Sequence, residues 1–315
     1  MYKKIIKLFS IMLALTVILC GCGDNKKKIK MGTAGEGGVY YAFGNSLAGV
    51  KALSGDYSIS VRETAGSTAN IRLISEGYID MGIAQADLLD DAYNQKGEFE
   101  GKSYGGYKAV AGLYMEACQI VVRKDSGIET IDDLQGKKVS IGENESGTER
   151  NARQILQAYG LNESLTDMLN MDYKKAADEL EKGSIDAMFC TAGVKTDIIE
   201  EIAEKCEIKL LDIDENSISK LTSQYDFFNE YDIPAGTYDG QEKAVSTVGV
   251  QSVLIAGDSM SEDVVYDVTK NLFENSEEIY GKMDGISFDS EMAASVNVID
   301  FHKGALKYFK ENNLD

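Results

Sequence analysis

The segment Ile131-Asp-Asp-Leu-Gln-Gly-Lys-Lys-Val-Ser-Ile-Gly-Glu-Asn-Glu-Ser-Gly-Thr148 decides how this chain is read. It divides into a turn, a short strand, a glycine-bearing loop and the start of a helix. Val139, Ser140 and Ile141 suit a strand, and Gly142 ends it. From Glu149 to Tyr159 the periodicity is helical, with Ala152, Ile155, Leu156 and Tyr159 on one face. Ser146 or Thr148 can cap that helix with a side-chain oxygen. The capped start leaves free backbone N–H groups at the positive end of the helix dipole, which makes an anion site. The strand–loop–helix order puts that site at the carboxyl end of a strand, where open α/β sheets bind ligands.

The same alternation runs outward in both directions. Strands are expected at 28–32, 57–63, 79–85, 109–115, 119–123, 139–142, 169–173, 187–190 and 208–213. Helices are expected at 39–53, 67–76, 88–94, 174–183 and 195–205. Repeated βα units imply parallel sheets covered by helices. One unit occurs twice, as Ile74-Ser-Glu-Gly-Tyr-Ile-Asp-Met-Gly-Ile83 and as Leu180-Glu-Lys-Gly-Ser-Ile-Asp-Ala-Met-Phe189. Each time a glycine ends a helix and an aspartate precedes an apolar strand, as if one unit were used once per lobe. Gln119 to Arg123 and Val248 to Ile255 are apolar strands far apart in sequence, and they suit the two hinge strands of a clamshell. Helix is expected again over 263–280 and within 289–309.

Further glycine-bearing segments follow in order: Gly32-Thr-Ala-Gly-Glu-Gly-Gly-Val-Tyr-Tyr41, Thr64-Ala-Gly-Ser-Thr-Ala-Asn70 and Ile83-Ala-Gln-Ala-Asp87. After the segment quoted first come Gly183-Ser-Ile-Asp-Ala-Met-Phe189, Ile233-Pro-Ala-Gly-Thr-Tyr-Asp-Gly240 and Thr247-Val-Gly-Val250. Their joint order, over nearly the whole chain after residue 29, resembles the TAXI family, the solute receptors of one class of TRAP transporter. The resemblance implies an α/β, two-lobed clamshell of the type II periplasmic-binding-protein class. Each lobe would be a mostly parallel sheet with flanking helices, joined by two hinge strands. It divides the chain into a first part of lobe 1 at 29–117, lobe 2 at 118–246, and a return strand with C-terminal helices at 247–315. It further implies capture of glutamate, glutamine or a related C5 acid and delivery to a TRAP membrane permease. An ABC importer's binding protein and a solute-presenting sensor are the alternatives.

The ligand contacts expected from lobe 1 are Gly37, Gly38, Val39, Tyr40, Gly66, Ser67 and Gln85. Those expected from lobe 2 are Ser146, Gly147, Thr148, Phe189, Thr191, Ala192 and Gly193. Glycines allow close backbone approach. Gln85, at the end of an apolar strand, offers an amide donor and acceptor. Ser146 to Thr148 are set against a ligand carboxylate by the helix dipole. Relatives carry Arg directly after Ser-Gly-Thr; this chain has Glu149 there and Arg150 one place on, on another side of the helix. Asp87 suits a helix cap.

The N-terminus reads as a targeting segment. Lys3, Lys4 and Lys7 form a basic region and Leu8 to Leu19 a short apolar run, too short for a comfortable membrane span. Leu19-Cys20-Gly21-Cys22 resembles a lipoprotein signal box, which implies cleavage after residue 21, acylation of Cys22 and a tether at 23–28. The expected location is therefore extracytoplasmic and lipid-anchored.

Charge is strongly acidic, 52 Asp+Glu against 32 Lys+Arg, which argues against nucleic acid as a partner. Cys118, Cys190 and Cys206 remain beyond the signal region, without a Cys-x-x-Cys pair, and His302 is the single histidine. A metal centre or a Cys–His nucleophile is not expected. No cofactor loop or catalytic constellation is present in the sequence, so the chain reads as a receptor and not an enzyme. Buried thiols packing as small hydrophobes and a structural His302 complete the expectation.

Overall fold

In a computed structural model of the chain, residues 27–51 and 57–314 are described. The targeting segment, Cys22 and most of the tether lie outside them. So does Leu53, the expected end of the first helix. The tether expectation is shortened, because β1 already begins at Lys27.

The molecule is an α/β clamshell built on one continuous ten-stranded sheet. In the first lobe β1 (Lys27–Gly32) is central, with β2 (Tyr57–Arg62) and β3 (Met81–Gln85) parallel on either side. Helices α1 (Val39–Ala48), α2 (Ser67–Ser75) and α3 (Ala86–Tyr93) follow these strands in turn. The second lobe repeats the plan. There β5 (Lys138–Ser140) lies between the parallel strands β6 (Asp167–Leu169) and β7 (Ala187–Ala192). Helices α4 (Gly147–Ala158), α5 (Tyr173–Glu181) and α6 (Asp197–Lys205) follow them.

Two long antiparallel strands, β4 (Tyr107–Arg123) and β10 (Val245–Gly257), run through both lobes. Toward one end β10 pairs with β3, from Ser252 to Ala256. Toward the other, β4 pairs with β7, from Ala117 to Val122. The crossing between lobes therefore falls near Glu116 and Ala117 on β4 and near Gly249 to Gln251 on β10. These strands make the sheet mixed: parallel within each lobe, antiparallel through the hinge.

The duplicated sequence unit is also duplicated in space. Asp80 N–H donates to Lys30 O at 2.9 Å, and Asp80 Oδ2 accepts from Lys30 N–H at 2.7 Å. In the second lobe Asp186 N–H donates to Lys138 O at 2.8 Å, and its Oδ2 accepts from Lys138 N–H at 2.9 Å. Each aspartate thus clips the third strand of its lobe to the first, and sets their register. The glycines before them, Gly77 and Gly183, have φ of 75° and 71°, the left-handed turn that ends a helix and that a side chain would strain.

Several element boundaries differ from the sequence expectation. The two strands expected at 109–115 and 119–123 are one strand of 17 residues, because its residues stay in the sheet through Glu116. The strand expected at 169–173 stops at Leu169, because the Asp172 carboxylate accepts from Lys175 N–H at 2.8 Å and starts α5. The helix expected at 263–280 breaks into α8 (Glu262–Glu274) and α9 (Ser276–Tyr280). At the break Asn275 turns its side chain back onto the Asn271 carbonyl. The C-terminal region holds two separate helices, α10 (Ser290–Ala293) and α11 (Lys303–Glu311). The strand expected at 208–213 is the shorter β8 (Ile208–Leu210), paired with β4, and unforeseen were β9 (Asn229–Ile233) on β10 and helix α7 (Glu215–Gln224).

The cores follow the layers. One cluster lies on one face of the sheet and spans both lobes, from Met31, Phe43 and Leu113 to Met188 and Ile199. The opposite faces have separate cores, around Ile71, Leu88 and Phe99 in lobe 1 and around Val139, Ile155 and Phe189 in lobe 2. Cys118 and Cys190 are buried and free, and Cys206 is half-buried. His302 is the N-cap of α11, where its Nδ1 accepts from Gly304 N–H at 3.1 Å.

Candidate ligand-binding site

A cavity of about 50 Å³ lies between the lobes at the crossing of the hinge strands. Four helix starts border it. Gly38, Val39 and Tyr40 come from α1, Gly66 and Ser67 from α2, Ser146, Gly147 and Thr148 from α4, and Asp172 and Tyr173 from α5. The first N–H groups of a helix have no intrahelical acceptor, so the convergence makes the cavity rich in backbone donors and positive dipole ends. At α5 this is offset by the Asp172 carboxylate.

The floor on the lobe 1 side is a chain of side chains. Tyr40 O–H donates to Glu116 Oε2 at 3.1 Å, and Gln85 Nε2 donates to the same oxygen at 3.0 Å. Ser67 Oγ accepts from Gln85 N–H at 3.1 Å and lies 3.3 Å from the Tyr40 hydroxyl. With Tyr40 donating to Glu116, the Ser67 proton is the one directed at Tyr40. Burial pushes the Glu116 carboxyl up to about 8, against the lowering effect of its Gln85 and Tyr40 donors. Burial also raises Tyr40 well above its ordinary range, with Glu116 adding to the shift. Gln85 Oε1 is buried and has no hydrogen-bond partner.

On the lobe 2 side Thr148, Tyr173 and Thr191 form a closed ring. Thr191 N–H donates to Thr148 Oγ1 at 3.2 Å, and Tyr173 O–H donates to Thr191 O at 3.0 Å. Thr148 Oγ1 and the Tyr173 hydroxyl are 2.6 Å apart. Because Tyr173 gives its proton to the carbonyl, Thr148 must give its own to Tyr173. Thr148 retains one lone pair and its backbone N–H for a ligand. Ser146 Oγ accepts from Glu149 N–H at 3.0 Å and so caps α4. Glu143, also on the wall, is raised by burial and by the neighbouring Asp172.

The lobes touch directly beside the cavity. Arg72 of α2 donates from Nη2 to Glu145 Oε2 at 2.8 Å and from Nε to Oε1 at 3.1 Å. Arg150 Nη2 meets Asp91 Oδ2 at 2.6 Å. Asn151 donates to Asp87 Oδ2 at 3.2 Å in a buried contact. Gly147 lies against the Gln85 amide so closely that a β-carbon there would overlap it.

Of the positions expected from sequence, Gly38, Val39, Tyr40, Gly66, Ser67, Gln85, Ser146, Gly147, Thr148, Thr191 and Ala192 border the cavity. Gly37, Phe189 and Gly193 do not. Gly37 faces Ile198 of α6. Phe189 points to the other face of β7, into the lobe 2 core. Gly193 is packed against Ile286 and Tyr114. Arg150 is committed to Asp91. Asp87 does not act as a free cap: it is fully buried in the first turn of α3, paired with Asn151 and raised to about 7 by burial. Glu116, Glu143, Asp172 and Tyr173 escaped the sequence reading. Glu116 carried a signal, a lone carboxylate in the apolar run Tyr114-Met-Glu-Ala-Cys118.

The chain belongs to the NMT1-like family, whose model matches residues 31–312. Its fold is similar to that of several solved periplasmic binding proteins. The periplasmic binding protein BugD aligns at 13% identity and a TM-score of 0.58, over 91% of this chain and 98% of that one. MatC from Rhodopseudomonas palustris, solved with bound malate, aligns at 11% identity and 0.56, over 82% of this chain and 88% of that one. The arginine-, lysine-, histidine-binding protein ArtJ from Geobacillus stearothermophilus aligns at 16% identity and 0.52, over 84% of this chain and 98% of that one. At such identities the likeness is one of fold.

Proposed function

We propose that this protein is an extracytoplasmic solute receptor. It captures a small carboxylate or amino acid, of the glutamate, glutamine or C5-acid class, and presents it to a TRAP-type membrane permease. The observation that carries the reading is the convergence of the α1, α2 and α4 N-termini on one interlobe cavity. A carboxylate placed there gains ~0.3–1 kcal/mol from a helix dipole, up to ~2 when partly buried. Charge-assisted hydrogen bonds to it add ~1.5–3 kcal/mol each. The family and the clamshell fold support a solute receptor, and the site supports a small acid as its solute. MatC's malate and ArtJ's amino acids are small solutes of the kind this cavity suits. Both lobes wall the cavity, so entry and release of the solute involve their parting. Capture is then a population shift: the solute must bind the closed form better than the open one.

Calorimetry against amino acids and C4–C6 carboxylates tests this. The expected result is binding at micromolar strength or tighter, where ~1 µM corresponds to ~8.2 kcal/mol. Binding of a sugar or a metal cation alone would overturn it. Delivery to a TRAP permease predicts uptake driven by an ion gradient; uptake that follows ATP instead would favour an ABC importer. Anchoring rests on Leu19-Cys20-Gly21-Cys22, and mass spectrometry of the mature chain should find an acylated Cys22 at its N-terminus; a different N-terminus would remove the anchor.

A further inference from the structure

Among the described residues no lysine or arginine borders the cavity, although the solute proposed above is an acid. Its walls carry three carboxylates, Glu116, Glu143 and Asp172. Glu116 stands apart from the other two. It is 2% exposed, at the crossing of the lobes, and both of its protein donors are on Oε2. Among the described residues Oε1 receives none. Beside it Gln85 is oriented by its own donation to Glu116. That bond fixes which end of the amide is nitrogen, and leaves the Gln85 carbonyl as a buried acceptor without a donor. Buried acceptors in native structures are almost always satisfied. The buried Gln85 carbonyl, and beside it the Glu116 Oε1 that takes no hydrogen bond from the described residues, both suit a donor that the solute brings.

We infer that Glu116 and the Gln85 side-chain carbonyl recognise a solute ammonium, so that the ligand is an α-amino acid and not an oxo or hydroxy acid of the same length. The inference rests on the receptor reading and narrows it. The ammonium sits on the lobe 1 floor, where its charge favours the ionised form of a Glu116 carboxyl that burial otherwise raises to about 8, and the α-carboxylate sits at the helix N-termini. A 2-oxo acid offers only acceptors at the position of the ammonium and faces two acceptors. A 2-hydroxy acid offers one proton where two are wanted. Sites built to hydrogen-bond one substrate group reject analogues lacking it by up to ~10⁴–10⁵-fold. The Tyr40–Ser67 chain holds Glu116 in place, and among the described residues no lysine or arginine on the cavity wall competes for it.

The test compares L-glutamine and L-glutamate with 2-oxoglutarate, 2-hydroxyglutarate and N-acetyl-L-glutamate, by calorimetry on the full chain and on its Glu116→Gln variant. The wild type should bind at least one of the two amino acids at least ~100-fold more tightly than the three analogues lacking a free ammonium. Glu116→Gln should lower amino-acid affinity by a similar factor and narrow the preference to within tenfold. Equal binding of 2-oxoglutarate and glutamate by the wild type would overturn the inference while leaving the receptor reading intact. So would a Glu116→Gln variant that keeps the full preference. If that variant fails to fold, the wild-type comparison decides alone. If none of the five compounds binds, the C5-acid reading falls. The full set of protein amino acids against their 2-oxo counterparts then decides the inference, and absence of any amino-acid binding overturns it too.

Discussion

Arg72 of one lobe and Glu145 of the other are joined by two roughly parallel hydrogen bonds, of 2.8 and 3.1 Å. The pair joins the two lobes directly. Both side chains are about one-third exposed, at 30% and 34%, so solvent screens the attraction and its worth is ~0–1 kcal/mol. Arg72→Ala should weaken solute binding two- to fivefold, chiefly by faster release. The loss should shrink at high salt, where the wild-type bridge is itself screened. Stopped-flow release at two ionic strengths checks this. An unchanged release rate would mean that the bridge does not hold the closed state.

The approach of Gly147 to Gln85 leads to a harsher expectation. Gly147→Ala sets a β-carbon onto the Gln85 amide, in the seam between the lobes. The lobes should fold as before but fail to close. Solute affinity should fall at least ~100-fold while the ligand-free unfolding free energy changes by no more than ~0.5 kcal/mol. Gly105→Ala, whose β-carbon would meet nothing within 4 Å, is the control. Normal affinity in Gly147→Ala would show that the seam opens without cost.

Thr148 is both wall and brace. Thr148→Ala breaks the Thr191–Thr148–Tyr173 ring and removes a polar contact beside the α4 N-terminus. A lost hydrogen bond to a charged group costs ~1.5–3 kcal/mol, roughly ten- to hundredfold in affinity. Thr148→Ser keeps the hydroxyl and should bind within about threefold of the wild type. Lys243→Ala, on an exposed loop, should change nothing. A Thr148→Ala variant with unaltered affinity would reduce the Ser-Gly-Thr element to a helix start.

Two buried carboxyls tie stability to pH. Asp87 is raised to about 7 and Glu116 to about 8, in both cases chiefly by burial. Asp91 raises Asp87 further, while Leu88 N–H, Arg150 and Asn151 lower it. Around Glu116 stand Gln85, Tyr40 and Asp87. The unfolded values are about 3.9 and 4.3. Between those and the folded values the native state holds more protons than the unfolded one, so stability falls as pH rises. The contribution is complete below about pH 4 and is lost by about pH 8. The ligand-free protein should melt higher at pH 5.5 than at pH 8, and Glu116→Gln should flatten that difference. A melting temperature that rises over this range would contradict the burial of these groups.

The duplicated αβ unit was legible in the sequence because its glycines end helices, a local signal, whereas the bond from each aspartate to a strand some 50 residues away was not. The helix starts of the site were legible too, since a strand end, a glycine and a capping hydroxyl are local signals. Gly37, Phe189 and Gly193 were misplaced for the opposite reason. A residue next to a site in sequence can point to the other side of a strand or meet a helix of the other lobe.

What the sequence determined by itself is the alternation of strands and helices, the two-lobed plan and the glycine-bearing helix starts at Gly38, Gly66 and Gly147. These depend on periodicity, capping and backbone freedom, which act over a few residues. The tertiary structure decided what those starts enclose. Glu116 becomes the floor of a cavity only because β4 crosses between lobes at that residue. Gln85 is left with an unpaired carbonyl only because Glu116 lies 3.0 Å from its amide nitrogen across 31 residues of chain. Arg72 meets Glu145 across 73 residues of chain, from one lobe to the other. Burial and long-range pairing set these charges and contacts, and neither is written in the local pattern of the chain.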